Sequence, residues 1–468
     1  MPHQSTSTAL GDRTIVAIIT PPGQGGIAAI RLAGPEAAEI AAQHFRSTPG
    51  RRESSIFRPW VLRHAYLCRA NGDMIDEVTA VYMPPGRSYT GEEQVEIFCH
   101  GGLHVVRLIQ EVLIESGAQS AEPGEFTKLA FLNGRIDLTR AEGVADIVAA
   151  LTDQSYRAAR QHLSGNYSSL VARLRSSMLR VAGELEAAID FPEEDVSWIE
   201  SGELSGSIQS ATESIRALID SYEAGRLVRD GFRIAIAGPP NAGKSSLLNL
   251  LLRRERALVT ATPGTTRDYI SEWIDLEGFA VELTDTAGIR ETEEEIERAG
   301  QEAARRVFDR SHLIIWMADL SAGSFPEDIA AGQQLSSGKP IIMVGNKIDI
   351  VEGRQAEACT GEAPDVLMLS CKTAGGLGEL REAIRHEIER YLPDQTDGIM
   401  VTSARHVQCL RAAHDALDRA GRLLEASEAT ELPAFEVNSA VKALDEITGR
   451  IYNEEVLEEI FSRFCIGK

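Results

Sequence analysis

The amino-acid sequence predicts a multidomain α/β protein. It comprises an N-terminal α+β domain, a discontinuous helical domain, and an inserted, mostly parallel α/β domain with helices on both faces. Three observations predict this. The chain has 468 residues, enough for about three domains that each bury a core. Between residues 229 and 391, five short, near-continuous apolar runs alternate with helix-competent segments. On both sides of that stretch the apolar residues recur at helical spacing.

The N-terminal part, 1–127, carries the β-rich runs TIVAIIT, IAAIRL, EVTAVYM and QVEIFC together with a helical stretch, VVRLIQEVLIESG. Gly-Pro punctuation between them suits a small α+β domain. From 128 to 228 the runs LTRAEGVADIVAALTDQSYRAARQHL and SSLVARLRSSMLRVAGELEAAID have helical periodicity and few β-branched clusters. The runs RIAIAG, AVELTD, LIIWMAD, PIIMVGN and DVLMLS then read as parallel strands buried on both faces. After residue 391 helices return in HVQCLRAAHDALDRAGRLLEA, VNSAVKALDEI and EEVLEEIFSRF. Segments 128–228 and 392–468 therefore form one helical domain, into which 229–391 is inserted.

The net charge is −23, and each of these four segments is negative. A chain with no basic segment argues against a strong nucleic-acid binder acting alone. The six cysteines, Cys68, Cys99, Cys359, Cys371, Cys409 and Cys465, form no CxxC pair and read as free thiols of a reducing compartment. The first residues lack the basic start and apolar run of a secretory signal, and no stretch approaches a membrane span. The expected location is cytoplasmic.

Function is written in the insert. The strand RIAIA runs into Gly238-Pro-Pro-Asn241-Ala242-Gly243-Lys244-Ser245-Ser246 and then a helix-like SLLNLLL, matching GxxxxGK(S/T) in strand–loop–helix context. In such a loop backbone N–H groups converge on phosphate oxygens, Lys244 reaches the β/γ-phosphates and the Ser245 hydroxyl ligates Mg²⁺. Asp285-Thr286-Ala287-Gly288 closes the strand AVELT, as a carboxylate near Mg²⁺ and a γ-phosphate-facing Gly require. Asn346-Lys347-Ile-Asp349 follows PIIMVG. Its Asp carboxylate can accept both guanine N1–H and N2–H₂, a donor pair adenine lacks. Ser370-Cys371-Lys372 ends the next strand beside the base. Four motifs in order at strand ends select GTP. Between the first two lies Thr260-Ala261-Thr262-Pro263-Gly264-Thr265-Thr266, where Thr266 reads as the switch residue completing Mg²⁺ coordination. Ile289 stands where Ras-like enzymes place a water-orienting Gln. The acid run Glu291 to Glu297 is either a substitute for that Gln or a solvated helix start.

The stretches TPPGQGGIAAIRLAG, SYTGEEQVEIFCHGG, EPGEFTKLAFLNGRIDLTRAEGVADIV, GPPNAGKSSLLN, TPGTTRD, DTAGIRETEEEIE and NKID, with the terminal FSRFCIGK, resemble the bacterial MnmE (TrmE) family of tRNA modification GTPases over essentially the whole chain. The resemblance implies a homodimeric GTP hydrolase. It works with a flavin-dependent partner (MnmG, or GidA) in a heterotetramer or larger complex. Together they add an aminomethyl or carboxymethylaminomethyl group to C5 of the wobble uridine (position 34) of certain tRNAs. The one-carbon unit comes from 5-formyl- or 5,10-methylene-tetrahydrofolate.

By the same resemblance Arg31, Glu96, Arg135 and Lys468 serve the folate site of the N-terminal domain. Position 135 is Arg here where relatives commonly carry Lys, and Leu129 stands where a basic residue is common. Potassium is implied as an activator of G-domain dimerisation, held by Asn241, Thr260, Thr262 and Thr265. Glu297 aligns with the water-positioning acid, so Glu297, Lys244 and Thr266 form the implied catalytic set. Cys465 reads as a small residue packed beside the folate pocket, ahead of a nucleophile attacking uridine C6. His100 reads as a tight-turn residue ahead of a proton shuttle. A different reading remains, a regulatory GTPase of the ribosome-assembly type without one-carbon chemistry. A third is a folate-binding protein whose GTPase domain is only a dimer clamp.

Overall fold

The computed structural model describes residues 13–48, 51–52, 58–190, 202–258, 270–286, 305–322, 325–335, 338–351, 366–392, 398–426 and 429–468. The chain divides into two compact units. The first comprises Met1–Ala145, His162–Ala172 and Leu444–Lys468; the second comprises Asp146–Gln161 and Arg173–Ala443.

The first unit is built on an eight-stranded sheet. Its strands are β1 (Ile15–Ile18), β2 (Gly25–Ala33), β3 (Phe45–Thr48), β4 (Arg51–Arg52), β5 (Arg63–Cys68), β6 (Met74–Met83), β7 (Gln94–Gly101) and β8 (Gln119–Ser120), in the order β4-β3-β5-β6-β7-β2-β1-β8. All neighbours are antiparallel except β1 and β8. Helix α1 (Ala37–His44) and α2 (Leu103–Glu115) cover it. The latter buries Val106, Ile109, Val112 and Leu113, one stripe at helical spacing. Helix α3 (Glu125–Leu132) starts at Gly124, whose φ of +68° suits glycine. A Cβ at that position would lie 2.6 Å from the Phe461 carbonyl oxygen. That close approach and the cluster of Phe131, Leu138, Ala141, Leu457, Phe461 and Phe464 seat the closing segment of the chain on the N-terminal sheet's helices.

The second unit holds the other sheet, in the order β10-β11-β12-β9-β13-β14-β15. These are β9 (Phe232–Ala237), β10 (Arg256–Leu258), β11 (Ile270–Leu276), β12 (Phe279–Asp285), β13 (Leu313–Asp319), β14 (Ile341–Asn346) and β15 (Val366–Met368). The five strands expected from the apolar runs are parallel to one another, and β13 and β14 are buried along nearly their whole length. Two antiparallel strands, β10 and β11, extend the sheet beyond that expectation. A tight Glu277-Gly278 turn joins β11 to β12, with φ values of +52° and +94°. Both central residues thus lie in the left-handed region that two-residue hairpins demand.

Helices flank this sheet's segment in sequence. The helix Glu203–Asp220 buries Leu204, Ile208, Ala211, Ile215 and Leu218 and packs on the helix Ala404–Glu425. Where the chain enters and leaves the α/β segment it touches itself. The Val401 N–H donates to Ser221 Oγ at 3.1 Å, and a Cβ on Gly225 would meet the Val401 carbonyl oxygen at 2.2 Å. Among the described residues no helix is long and apolar enough to cross a membrane. The fold is therefore a multidomain α/β architecture with mixed sheets and many helices.

Candidate nucleotide and folate sites

Strand β9 is the centre of the second sheet, and its neighbours β12 and β13 lie on opposite sides. Crevices in open α/β sheets form outside the carboxyl ends of the strands where the order reverses. At that point β9 gives way to the loop 238–243 and the helix Lys244–Arg254. The loop must be glycine-rich for steric reasons. A Cβ on Gly238 (φ +136°) would fall 2.1 Å from the Met317 carbonyl oxygen, and one on Gly243 (φ +103°) 2.2 Å from Asn346 Nδ2. Asn241 sits between them with φ +63°.

The side chains converge. Lys244 is buried, and its Nζ donates to the carbonyls of Gly238 at 2.9 Å and Pro239 at 2.8 Å, which hold the ammonium across the loop. Ser245 Oγ donates to Asp285 Oδ2 at 2.7 Å, and that carboxylate is buried at the end of β12. Thr286 Oγ1 donates to the Ile236 carbonyl at 2.9 Å, tying the next motif back to β9. Asn346, at the end of β14, links the loop 238–243 to the segment that follows β15. Its Nδ2 donates to the Ala242 carbonyl at 2.8 Å and its Oδ1 accepts from Cys371 N–H at 3.1 Å. Asp349 Oδ1 accepts from Ser370 Oγ at 2.7 Å. Burial pushes the Cys371 thiol up to about 11, so it stays protonated beside Asn346 and Asp349.

These groups surround a hollow of about 980 Å³, lined among others by Asn241, Ser246, Lys347, Asp349 and Lys372. One ion pair made by a lining residue, Lys347, was not anticipated from the sequence. Asp319, at the end of β13, pairs with Lys347 Nζ at 2.5 Å. Burial alone would raise the Asp319 carboxyl, but hydrogen bonds from Lys347 and Ser321 outweigh it and hold the group below its usual range. The sequence shows only that Asp319 ends an apolar strand; that β13 lies beside β14 and its Asn346 follows from the sheet order. Thr260, Ala261, Thr262, Pro263, Gly264, Thr265, Thr266, Ala287, Gly288 and Glu297 lie outside the described residues.

The expected folate residues belong to the first unit. Arg31 and Glu96 face each other across the β2–β7 pairing. Arg31 donates to Glu96 Oε1 from Nε at 3.0 Å and Nη2 at 2.9 Å, and Gln94 Nε2 adds a third bond to the same oxygen at 3.0 Å. The guanidinium carbon lies 5.1 Å from the Tyr89 ring centre and 5.4 Å from that of Phe126. Phe126 N–H donates to the Lys468 carbonyl at 3.2 Å, which brings the tail to this corner. Arg135 is one loop away, donating from Nη1 to the Gly86 carbonyl at 3.0 Å. Leu129 is buried in the apolar cluster with Ile15, Ala17 and Phe126. Cys465 is exposed, where packing was expected. His100 hydrogen-bonds Asp76 Oδ1 through Nδ1 at 2.7 Å, and its backbone N–H donates to Asp76 Oδ2 at 2.8 Å. The carboxylate raises the imidazole above its ordinary value, and His100 lies within strand β7, where a tight turn was expected.

Two family models match this chain. The MnmE helical domain covers residues 138–465, and the GTP-binding protein TrmE N-terminus covers residues 14–135. The tRNA modification GTPase MnmE of Symbiobacterium thermophilum is 39% identical over 462 residues, 98% of this chain and 100% of that protein. Those of Chlorobium luteolum and Chlorobium phaeobacteroides are each 40% identical, covering 98% and 97% of this chain and the same shares of their own lengths. With both models spanning consecutive parts of the sequence and full-length relatives at this identity, the chain belongs to the MnmE (TrmE) family.

Proposed function

We propose that the chain is a GTP hydrolase acting in tRNA modification. With a flavin-dependent partner it adds an aminomethyl-type group to C5 of the wobble uridine, drawing the carbon from a reduced folate. The observation that carries the GTPase reading is the Asn346 side chain, which ties the phosphate loop at Ala242 to the base-side segment at Cys371 around one hollow. Asp349, oriented by Ser370, accepts the two N–H donors on guanine's edge. Backbone N–H groups of Asn241 to Ser245 and the Lys244 ammonium neutralise phosphate charge as it builds up in hydrolysis.

The residues present suit Mg²⁺, a hard cation that takes oxygen donors. The exposed Ser245 hydroxyl meets the buried Asp285 carboxylate, so two oxygen donors converge at the edge of the hollow. Ser245 and Thr266 would hold the ion, whose chemistry is to stabilise charge on the transferring phosphoryl group. Glu297 orients the attacking water in place of the Gln that Ile289 replaces. Asn241, on the rim of the hollow in a left-handed conformation, offers an amide oxygen for K⁺ together with Thr260, Thr262 and Thr265.

The first unit suits a reduced folate. Three N–H donors saturate Glu96 Oε1, while Oε2 accepts no hydrogen bond among the described residues. That oxygen is available to a pterin ring's N–H groups, and the partly buried Tyr89 supplies an aromatic wall. Lys468 and Arg135 would meet the folate's carboxylates. Deleting the gene and analysing bulk tRNA nucleosides tests the reading as a whole. Loss of the wobble-uridine hypermodification is expected. Unchanged nucleosides would sink it and favour a ribosome-assembly GTPase.

A further inference from the structure

A second hollow lies in the first unit, away from the Arg31–Glu96 pair. It measures about 480 Å³ and is formed where the turn 133–137 meets the turn 448–452. Three arginines, Arg135, Arg140 and Arg450, line it against one carboxylate, Asp137. In a chain of net charge −23 this is a local reversal of sign.

The arginines are held in a way that leaves donors over. Arg135 donates from Nη1 to the Gly86 carbonyl at 3.0 Å, and Arg140 from Nε to the Leu163 carbonyl at 3.1 Å. A guanidinium has five N–H donors, so neutral carbonyls fix its orientation without cancelling its charge. Neither has a carboxylate partner among the described residues. Among the described residues Arg450 has only a loose approach to Asp445, 3.8 Å from Nε. The Asp137 carboxylate is already engaged, its Oδ1 accepting from Thr139 Oγ1 at 2.6 Å and Arg140 N–H at 3.0 Å.

The same hollow has an aromatic wall. Tyr452 is 48% exposed and meets Phe131 edge-on, with centroids 5.4 Å apart. Phe131 is itself fixed, because a Cβ on Gly449 would lie 2.8 Å from its ring. Spare guanidinium donors beside an open aromatic face are the two components by which proteins hold single-stranded nucleic acid: phosphate on the cations, a base on the ring. A carboxylate-bearing ligand would need the arginines but not Tyr452.

Building on the tRNA reading above, the geometry points to this hollow as a phosphate-and-base site for an unpaired segment of RNA, with Arg140 and Arg450 on the phosphate and Tyr452 under the base. Arg135, whose stem lies against Gly91 in the loop that carries Tyr89, stands between this hollow and the folate corner. It therefore couples the two without belonging to only one.

The test is fluorescence anisotropy of a labelled anticodon stem-loop RNA with the full-length protein, with thermal melting as the check on folding. Arg450→Ala and Tyr452→Ala should each weaken binding about tenfold, the range expected for losing one stacked base or one phosphate contact. Arg450→Ala should flatten the dependence of log affinity on log salt by about 0.7, and Tyr452→Ala should leave that slope alone. Tyr452→Phe should bind as the wild type does, which separates stacking from misfolding. Equal affinity in the wild type and both alanine variants overturns the inference, and so does a wild type that binds no RNA at low salt. Retained RNA binding with loss of reduced-folate binding also overturns it, assigning the hollow to the folate's carboxylates. Displacement of the RNA by poly-glutamate from wild type and Tyr452→Ala alike would assign it to an acidic protein segment. The nucleoside analysis of a deletion strain does not depend on this hollow, so failure here leaves the tRNA reading separately decidable.

Discussion

Asp349 shows how much selectivity one carboxylate can carry. Its Oδ1 is fixed by the Ser370 hydroxyl, so its remaining acceptor capacity points to whatever edge enters the hollow. Asp349→Asn replaces an acceptor-only group with one that also donates, which mismatches guanine and matches the carbonyl of xanthine. The variant should lose GTP turnover and gain XTP turnover; steady-state hydrolysis of both nucleotides measures this, and unaltered GTP selectivity would remove the base assignment. The motif residues around Asp349 were legible in the sequence because each sits at a fixed offset from an apolar strand. Asp319 was not singled out, since its partner Lys347 follows a different strand, β14, and only the sheet order brings the two together. Arg140, Arg450 and Tyr452 escaped for the same reason, being spread over more than half the chain's length and joined only by the fold.

At the level of elements, the parallel strands were readable because burial on both faces leaves continuous apolar runs. Strand β11, ISEWIDL, was not, because an antiparallel strand near the sheet's edge is interrupted by polar residues, here Ser271, Glu272 and Asp275, and shows no continuous apolar run. The turn that makes its hairpin is Glu-Gly, in place of the Asn-Gly or Asp-Gly that sequence reading looks for. How the strands are held has a measurable consequence. His312 precedes β13, stacks on Phe232 of β9 at 5.1 Å, and accepts from the Arg233 N–H through Nδ1 at 2.9 Å. Burial, with Arg226, Arg233 and Lys339 nearby, pushes its pKa down to about 4. An unfolded histidine titrates near ~6.5, so in between the unfolded chain binds a proton that the native ring refuses. His312 thus lowers stability progressively as pH falls through that window and has no such effect above it. Thermal melting from neutral to acidic pH should show a steeper fall in Tm for the wild type than for His312→Phe. Parallel curves would mean that the ring does not stay neutral in the folded state.

For the whole molecule, the cation reading is the most exposed to experiment, because it joins Asn241 to a segment beyond the described residues and to a second copy of the chain. Replacing K⁺ by Na⁺ should slow GTP hydrolysis at least tenfold while GTP binding persists, as removal of one fixed charge from a transition state does; equal rates in the two salts would eliminate that role. The acidity that argues against a nucleic-acid partner is an average over the chain, and the hollow lined by three arginines and one aspartate shows that charge is locally reversed within it. One packing feature acts on a different axis, that of time. Gly467 (φ +95°) is pressed so close to β1 that a Cβ would lie 2.5 Å from the Ile18 carbonyl oxygen, and Leu444–Lys468 belongs to the same unit as Met1–Ala145. During synthesis that unit waits for its last piece while on the order of 300 further residues are added. At about 5–20 residues per second this is a delay of roughly 15–60 s. Throughout that interval the corner of the N-terminal sheet at Ile18 lacks the segment that packs against it in the native unit.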